Sequence, residues 1–413
     1  MKGVLFTSIA LFGLFIGRTV AQVRQLDYFL DQGLKNSPLL RDFSNQLISN
    51  GIDSALVRAN YKPQVSFTSN NFYAPTINGF GYDPIVTNGG GYSAMLNVNQ
   101  NLASNKYLQT QFYGIRLTKD SLSNEKRISE RDLKRTITSQ YIVTYGDEQN
   151  LLFYNQVHEL LTSEDSVLKK LTQSNVYRQA DYLTFLVTLQ QQELQIKQLQ
   201  IQYRTDLSTL NYLCGIFDTT VSALEYPGIQ LAVNGDAINS IFYRKYILDS
   251  LSLENNLSLL KYNYRPRVTV YANGGYNSSL MYQAEKNIGA GIGLNLNLPI
   301  YDGNQRKLQI RKITLKKESV INYRDFFNAQ YNQQITMLRQ QLVSTEALIK
   351  DIDAQIKYAE TLIKVNRRFM TTGDAKISDV VIAINNYLTA KNLLTQNNIN
   401  RLQIINQINY WNR

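Results

Sequence analysis

Two stretches of roughly a hundred residues contain almost nothing that would interrupt a helix. Proline is absent from residues 85–226 and from residues 300–413. Gly146 is the only glycine between Ile115 and Cys214, and Gly373 the only one between Asn304 and Arg413. Elsewhere glycine gathers, at Gly79, Gly81 and Gly89 to Gly91, and again at Gly274, Gly275, Gly289, Gly291, Gly293 and Gly303. Long helix-permissive zones therefore alternate with short β-like ones. In the second helical zone an apolar stripe runs Phe327, Tyr331, Ile335, Leu338, Leu342, Thr345, Ile349, Ile352, Ile356, Ala359 and Ile363. Its spacings of mostly four and three are the seam of long packed helices, as in a coiled coil. A helix from Asn105 to about Ser174 would reach ~105 Å. Conduits and spacers use such lengths; cleft-forming enzymes rarely do.

The chain repeats itself. Lys62-Pro63-Gln64-Val65 opens one β-like zone and Arg265-Pro266-Arg267-Val268 the other. The zones close at Leu102-Ala103-Ser104-Asn105 and at Ile300-Tyr301-Asp302-Gly303. The exits are 198 residues apart, and 76 residues separate Asn105 from Asp181 and Gly303 from Asp379. This pattern predicts a duplication. Residues 22–225 form the first repeat, with strands near 63–75 and 91–103 and a helical hairpin near 105–214. Residues 226–413 form the second, with strands near 266–278 and 287–301 and a hairpin near 303–412. A period near 200 is too long for a solenoid.

From Ile288 to Ile300 the even positions are apolar, while the odd ones read Gly289, Gly291, Gly293, Asn295, Asn297 and Pro299. Tyr92, Ala94, Leu96 and Val98 alternate with Ser93, Asn97 and Asn99 in the same way. Period-two alternation gives a strand with one apolar face. Thirteen residues would span ~43 Å, enough to cross a tilted bilayer path. Tyrosines near the strand ends (Tyr73, Tyr82, Tyr92, Tyr271, Tyr276, Tyr282, Tyr301) suit an interfacial girdle. Alternation alone also suits a half-buried sheet in a soluble sandwich. If the strands cross lipid, four cannot close a barrel, so several chains must share one; a threefold homotrimer supplies twelve.

Met1-Lys2, the apolar run Val4–Gly17 and Thr19-Val20-Ala21 read as a signal peptide over residues 1–21, too short to span. Removing Lys2 and Arg18 with it leaves 41 basic against 32 acidic residues. The excess is dispersed, with one denser run at Arg306, Lys307, Arg311, Lys312, Lys316 and Lys317. For an exported chain this suits a solvated face or anionic lipid headgroups, and no nucleic acid is expected. One His and one Cys exclude an intrachain disulfide and most triads and zinc sites. His158 reads as a surface or packing residue, Cys214 as a small buried one, and Trp411 as packing at the end of the last helix. No phosphate loop, nucleophile elbow or paired catalytic carboxylates appear. No catalytic, cofactor or metal residues are therefore expected.

The signal peptide, Asn36-Ser37-Pro38-Leu39, the duplicated helix–strand–strand–long-helix order and the exit Leu298-Pro299-Ile300-Tyr301-Asp302-Gly303 resemble the TolC-type outer membrane efflux protein family. Gly373 followed by Asp379 adds to the resemblance, which covers essentially the whole mature chain. It implies an α+β membrane protein, a trimer that joins a twelve-stranded outer-membrane β-barrel to a long coiled-coil α-helical barrel in the periplasm. It also implies a passive channel in an efflux or secretion system, with a periplasmic adaptor and an inner-membrane transporter as partners. Two departures stand in the first half: Asn175 where the family usually has glycine, and Ala103-Ser104-Asn105 where it often has Asp-Gly-Gly. Asparagine tolerates a left-handed backbone, so a turn remains feasible there.

Each hairpin is expected to turn at Asn175 or Gly373, with Asp181 and Asp379 six residues on. By resemblance Asp379 matches the family's constriction carboxylate. Threefold symmetry would make it an acidic ring, with Lys376 able to pair with a neighbouring helix. Ile382 stands where some members carry a second carboxylate. The alternative is an ordinary helix-N-terminal carboxylate, favoured by the macrodipole, for Asp379 and Asp181 alike. Two rival functions remain at this level. One is an exported coiled-coil structural or adhesive surface protein, which would not need strands of this kind. The other is an exported enzyme, which would need a carboxylate pair.

Overall fold

The computed structural model describes residues 23–83, 89–218, 220–232, 235–279 and 284–412. The expected signal peptide and Tyr282 lie outside them. Helices α1 (Leu26–Asn36) and α2 (Pro38–Asn60) lead to strands β1 (Gln64–Tyr73) and β2 (Gly90–Leu102). Then come the 69-residue α3 (Asn105–Gln173) and α4 (Gln179–Leu213). The order recurs as α5 (Ile241–Asn263), β3 (Arg267–Ser278), β4 (Ile288–Asn297), α6 (Gln305–Thr372) and α7 (Ile377–Asn412). Among the described residues, no helix is long and apolar enough to cross a membrane.

Two compact units emerge, each drawing on both halves of the sequence. One holds the residues up to Ser37, Leu133–Ala232 and Leu338–Tyr410; the other holds Pro38–Asp132, Val233–Met337 and the end of the chain from Trp411.

The second unit contains the sheet, antiparallel throughout, in the order β1-β2-β3-β4. Its register sorts side chains onto two faces. Val65, Val98, Ala272 and Ile292 form one cross-strand row, and Phe67, Leu96, Gly274 and Ala290 the next. The intervening rows read Ser66, Asn97, Asn273, Gly291 and Gln64, Asn99, Tyr271, Gly293. On that polar face Asn97 donates to Thr68 Oγ1 at 2.8 Å, and Thr269 donates to Asn101 Oδ1 at 2.9 Å. The Tyr271 ring lies across Gly293, where an added Cβ would sit 2.4 Å from its hydroxyl oxygen. The strand therefore needs glycine there. The strand pattern of the second half ends sooner than its alternation suggests. β4 stops at Asn297, opposite Arg267, rather than at Ile300. Pro299 has no N–H to continue the ladder. The ten paired residues still reach ~33 Å, the length of a tilted bilayer-crossing strand.

Further from the sheet in the same unit, Tyr331, Ile335 and Ala237 make a small core with Phe327 and Trp411. The Trp411 ring stands 5.1 Å from Phe242 and edge-on to Tyr331 at 6.2 Å.

The first unit packs α1, α3, α4, α6 and α7. Of the α6 stripe, Leu338, Leu342, Thr345, Ile352, Ile356, Ala359 and Ile363 are buried here, and Ile349 is half-buried. Gly146 lets α3 approach α7, because a Cβ on it would fall 2.0 Å from Ile399 Cδ1. Phe29, Tyr141, Leu207, Leu210 and Cys214 share one core. Burial there pushes the Cys214 thiol up to about 12, which leaves it an inert packing group. His158 is half-buried on α3, with no hydrogen-bond partner for its buried Nδ1. Among the described residues no cluster of His, Cys, Asp and Glu could hold a metal.

Candidate functional site: the paired hairpin turns

Both hairpin turns lie in the first unit and close by the same hydrogen bonds. At the end of α3, Asn175 takes φ +57°. Its N–H donates to Thr172 O at 3.0 Å, and the Val176 N–H to Leu171 O at 2.9 Å. At the end of α6, Gly373 takes φ +79°. Its N–H donates to Met370 O at 3.3 Å, and the Asp374 N–H to Phe369 O at 2.9 Å. Each is a Schellman motif, in which a left-handed residue turns the last N–H groups back onto orphan carbonyls. The two tips meet: a Cβ on Gly373 would stand 3.1 Å from Val176 Cγ1.

Beyond the turns the returning helices begin alike. Asp181 and Asp379 sit in the first turns of α4 and α7, and both are exposed. The Asp379 N–H donates to Lys376 O at 3.0 Å, and Asn366 Nδ2 reaches Asp379 O at 3.3 Å. The Asp379 carboxylate itself is left to solvent, with the Ser378 hydroxyl at 3.4 Å. Lys376 is exposed and makes no ion pair with Asp379 within the chain. Ile382, one turn on, is 56% exposed, although Val380, Ala383 and Ile384 around it are buried. Asp379 and Ile382 thus share an outward face, while the rest of this turn packs inward against Met370, Ile363 and Phe185.

Sequence reasoning missed the contacts that tie the hairpins together. The Tyr177 hydroxyl lies 2.9 Å from both the Met370 and Ala375 carbonyl oxygens, so its one proton bridges to the opposite turn. The repeat offset pairs Tyr177 with the buried Ala375, and that large–small exchange was the available signal. Burial, and then the charge of Asp374, hold the Tyr177 phenol above its ordinary pKa. A few turns back, the nearly buried Glu164 on α3 pairs with Arg367 on α6. Nothing in local periodicity marks that ion pair.

No family model matches the sequence, and no curated protein matches it. Solved structures do. CusC, studied for folding and transmembrane channel formation, superposes with a TM-score of 0.80 over 95% of this chain and 93% of its own, at 11% identity. The outer membrane protein VceC of Vibrio cholerae gives 0.75 over 94% and 96%, at 13% identity. The open-state outer membrane channel MtrE of Neisseria gonorrhoeae gives 0.74 over 94% and 88%, at 11% identity. The chain has the TolC-type fold. That agreement spans nearly the full length of both partners, so sheet, long helices and both hairpins belong to one shared architecture. At such identity it speaks for architecture alone.

Proposed function

We propose that this chain is the outer-membrane channel of a tripartite efflux or secretion system. Three copies close one twelve-stranded barrel in the outer membrane, and their helices extend into the periplasm. The channel passively conducts substrates delivered by an inner-membrane transporter through a periplasmic adaptor. The observation that carries this reading is the sheet. Its aliphatic face is uncovered, with Ile292 83% and Leu294 72% exposed. Its outer strands β1 and β4 each pair on one side only, and an open edge is not tolerated in lipid. Within the four strands the one charged side chain is Arg267, at the first residue of β3. An adhesive coiled coil would have no use for such a face. The deciding measurement is conductance in a planar bilayer together with a heat-modifiable trimer band. A monomer that leaves bilayers silent would refute the proposal.

Within this reading the shared outward face of Asp379 and Ile382 forms the narrow periplasmic entrance, an acidic ring beside an apolar one. Lys376 pairs across to a neighbouring chain, and Asp181 lies at the corresponding point of the other hairpin. A carboxylate ring favours cations and binds divalent ions. Asp379→Asn should therefore lower cation preference and relieve block by divalent cations added on the entrance side, at unchanged trimer yield. Loss of both in Asp181→Asn instead would move the constriction to the other hairpin.

A further inference from the structure

The cations that flank the sheet gather at one end. In antiparallel order, the start of β1, the end of β2, the start of β3 and the end of β4 fall together. Arg58 and Lys62 precede β1, and Lys106 follows β2. Arg265 and Arg267 lead into β3, while Arg306 and Lys307 follow β4. All seven side chains are exposed. None forms an ion pair with a carboxylate among the described residues. The one acid in these junctions, Asp302, is engaged by the Arg306 N–H at 2.7 Å. At the opposite end the described residues of the strand connections carry Asp83, Glu285 and Lys286.

Half-buried tyrosines accompany the cations. Tyr107 and Tyr262 rings stand 5.9 Å apart, and the Arg265 guanidinium lies 4.5 Å over Tyr262. The Arg306 guanidinium sits 5.5 Å over Tyr264. Rings with an apolar body and a wet hydroxyl belong at a membrane–water boundary, and long cationic stems reach along such a boundary to headgroups. Here they edge an aliphatic surface ~33 Å tall that bears no charge.

We propose that this end of the sheet is a binding belt for anionic phospholipid headgroups, those of the leaflet on the side from which α3 and α6 depart. The inference rests on the membrane reading above and adds a lipid class and an orientation. Its occupant follows from complementarity: exposed cations without carboxylate partners, continuous with a lipid-facing wall, match phosphodiester headgroups lying at the same level.

The test uses the assembled protein in nanodiscs of phosphatidylethanolamine with a minor fraction of phosphatidylglycerol. Native mass spectrometry reads the headgroup ratio of the retained lipid. The expected result is enrichment of phosphatidylglycerol over the bulk ratio, about twofold or more, weakening in high salt. Joint Lys62→Gln, Lys106→Gln, Arg265→Gln and Lys307→Gln should abolish it. Lys62→Arg, Lys106→Arg and Lys307→Arg together should keep it, as should a control with Lys197→Gln, Lys350→Gln, Lys357→Gln and Lys364→Gln on exposed helix faces. A bulk ratio in the wild type, or undiminished enrichment in the four-site glutamine variant, overturns the belt. Should that variant fail to insert, enrichment unchanged by salt in the wild type overturns it instead. Wild-type protein that inserts and conducts without lipid preference defeats this inference alone; protein that never inserts defeats the channel reading with it.

Discussion

Asn175 and Gly373 hold the same left-handed backbone position, 198 residues apart, at the tips of two hairpins closed by matching hydrogen bonds. The second half uses the residue that meets this geometry without strain, and the first half the side chain that tolerates it best. What differs is the space around each. Gly373 faces the neighbouring tip at Val176, so a side chain there meets both strain and a close contact.

Gly373→Ala should therefore destabilise the hairpin unit by about 1–2 kcal/mol. Asn175→Gly should be neutral or slightly stabilising. Thermal unfolding of both variants at one protein concentration checks the pair. A Gly373→Ala protein as stable as the wild type would mean that the left-handed turn is not held in solution.

Tyr177 couples the two tips through a single proton. Tyr177→Phe keeps the ring and loses the bridge to Met370 and Ala375, at a cost of about 1 kcal/mol. The loss should be local. Amide exchange at Gly373 and Asp374 should accelerate, while amides of the sheet keep their wild-type rates. Unchanged exchange at the tips would show that ring packing alone joins the hairpins.

The legible parts of this chain were those written as local periods. The α6 stripe was read from its four–three spacing because each turn of a long helix presents the same face to its neighbour. The two turns were found because a duplicated chain repeats its breakers at a fixed offset. The strand faces followed from alternation, which the register of Val98 against Ala272 and of Asn97 against Asn273 matches. Contacts between elements carried no such period. The bridge from Tyr177 to the opposite turn, the Glu164–Arg367 pair and the meeting of Asp147 with Asp206 each join residues whose own neighbourhoods look ordinary. The early end of β4 was legible in principle. Pro299 removes the donor that alternation alone cannot register.

Asp147 on α3 meets Asp206 on α4 in the first unit. Burial, and then hydrogen bonding to Asp206 and its charge, push the Asp147 carboxyl up to about 7. Its Oδ2 is buried without a partner, while Asp206 accepts from Gln140 Nε2 at 3.0 Å and from Gln202. A protonated Asp147 supplies the donor that this arrangement lacks. The sign follows from linkage. An unfolded aspartate titrates near 3.8, so between about 4 and 7 the folded chain holds a proton that the unfolded chain has lost. Stability therefore falls as pH rises through that window. Asp147→Asn, which carries a permanent donor, should unfold at a higher temperature than the wild type at pH 8 and at a similar one at pH 5. A variant less stable than the wild type at pH 8 would rule out the shared proton.

The sharpest test of the sheet compares neighbours in β4. Leu294 lies opposite Val270 on the aliphatic face, and Asn295 lies opposite Thr269 on the polar one. Both positions are exposed in the single chain, so a soluble protein would accept arginine at either with little change. In a membrane barrel the two differ. Leu294 sits three residues from the charged end of the strand, where the lipid-facing surface has left the headgroups behind. Arginine on such a face costs about 2–4 kcal/mol at the midplane and less towards the boundary, and threefold assembly incurs that cost in every subunit. At Asn295 the same side chain enters a water-filled lumen beside Asn101 and Thr269, where its charge stays hydrated. Leu294→Arg should therefore reduce the yield of heat-modifiable trimer in outer-membrane fractions, and Asn295→Arg should leave it near the wild-type level with altered ion selectivity. Equal yields for the two variants would place both faces in water and return the sheet to a soluble protein.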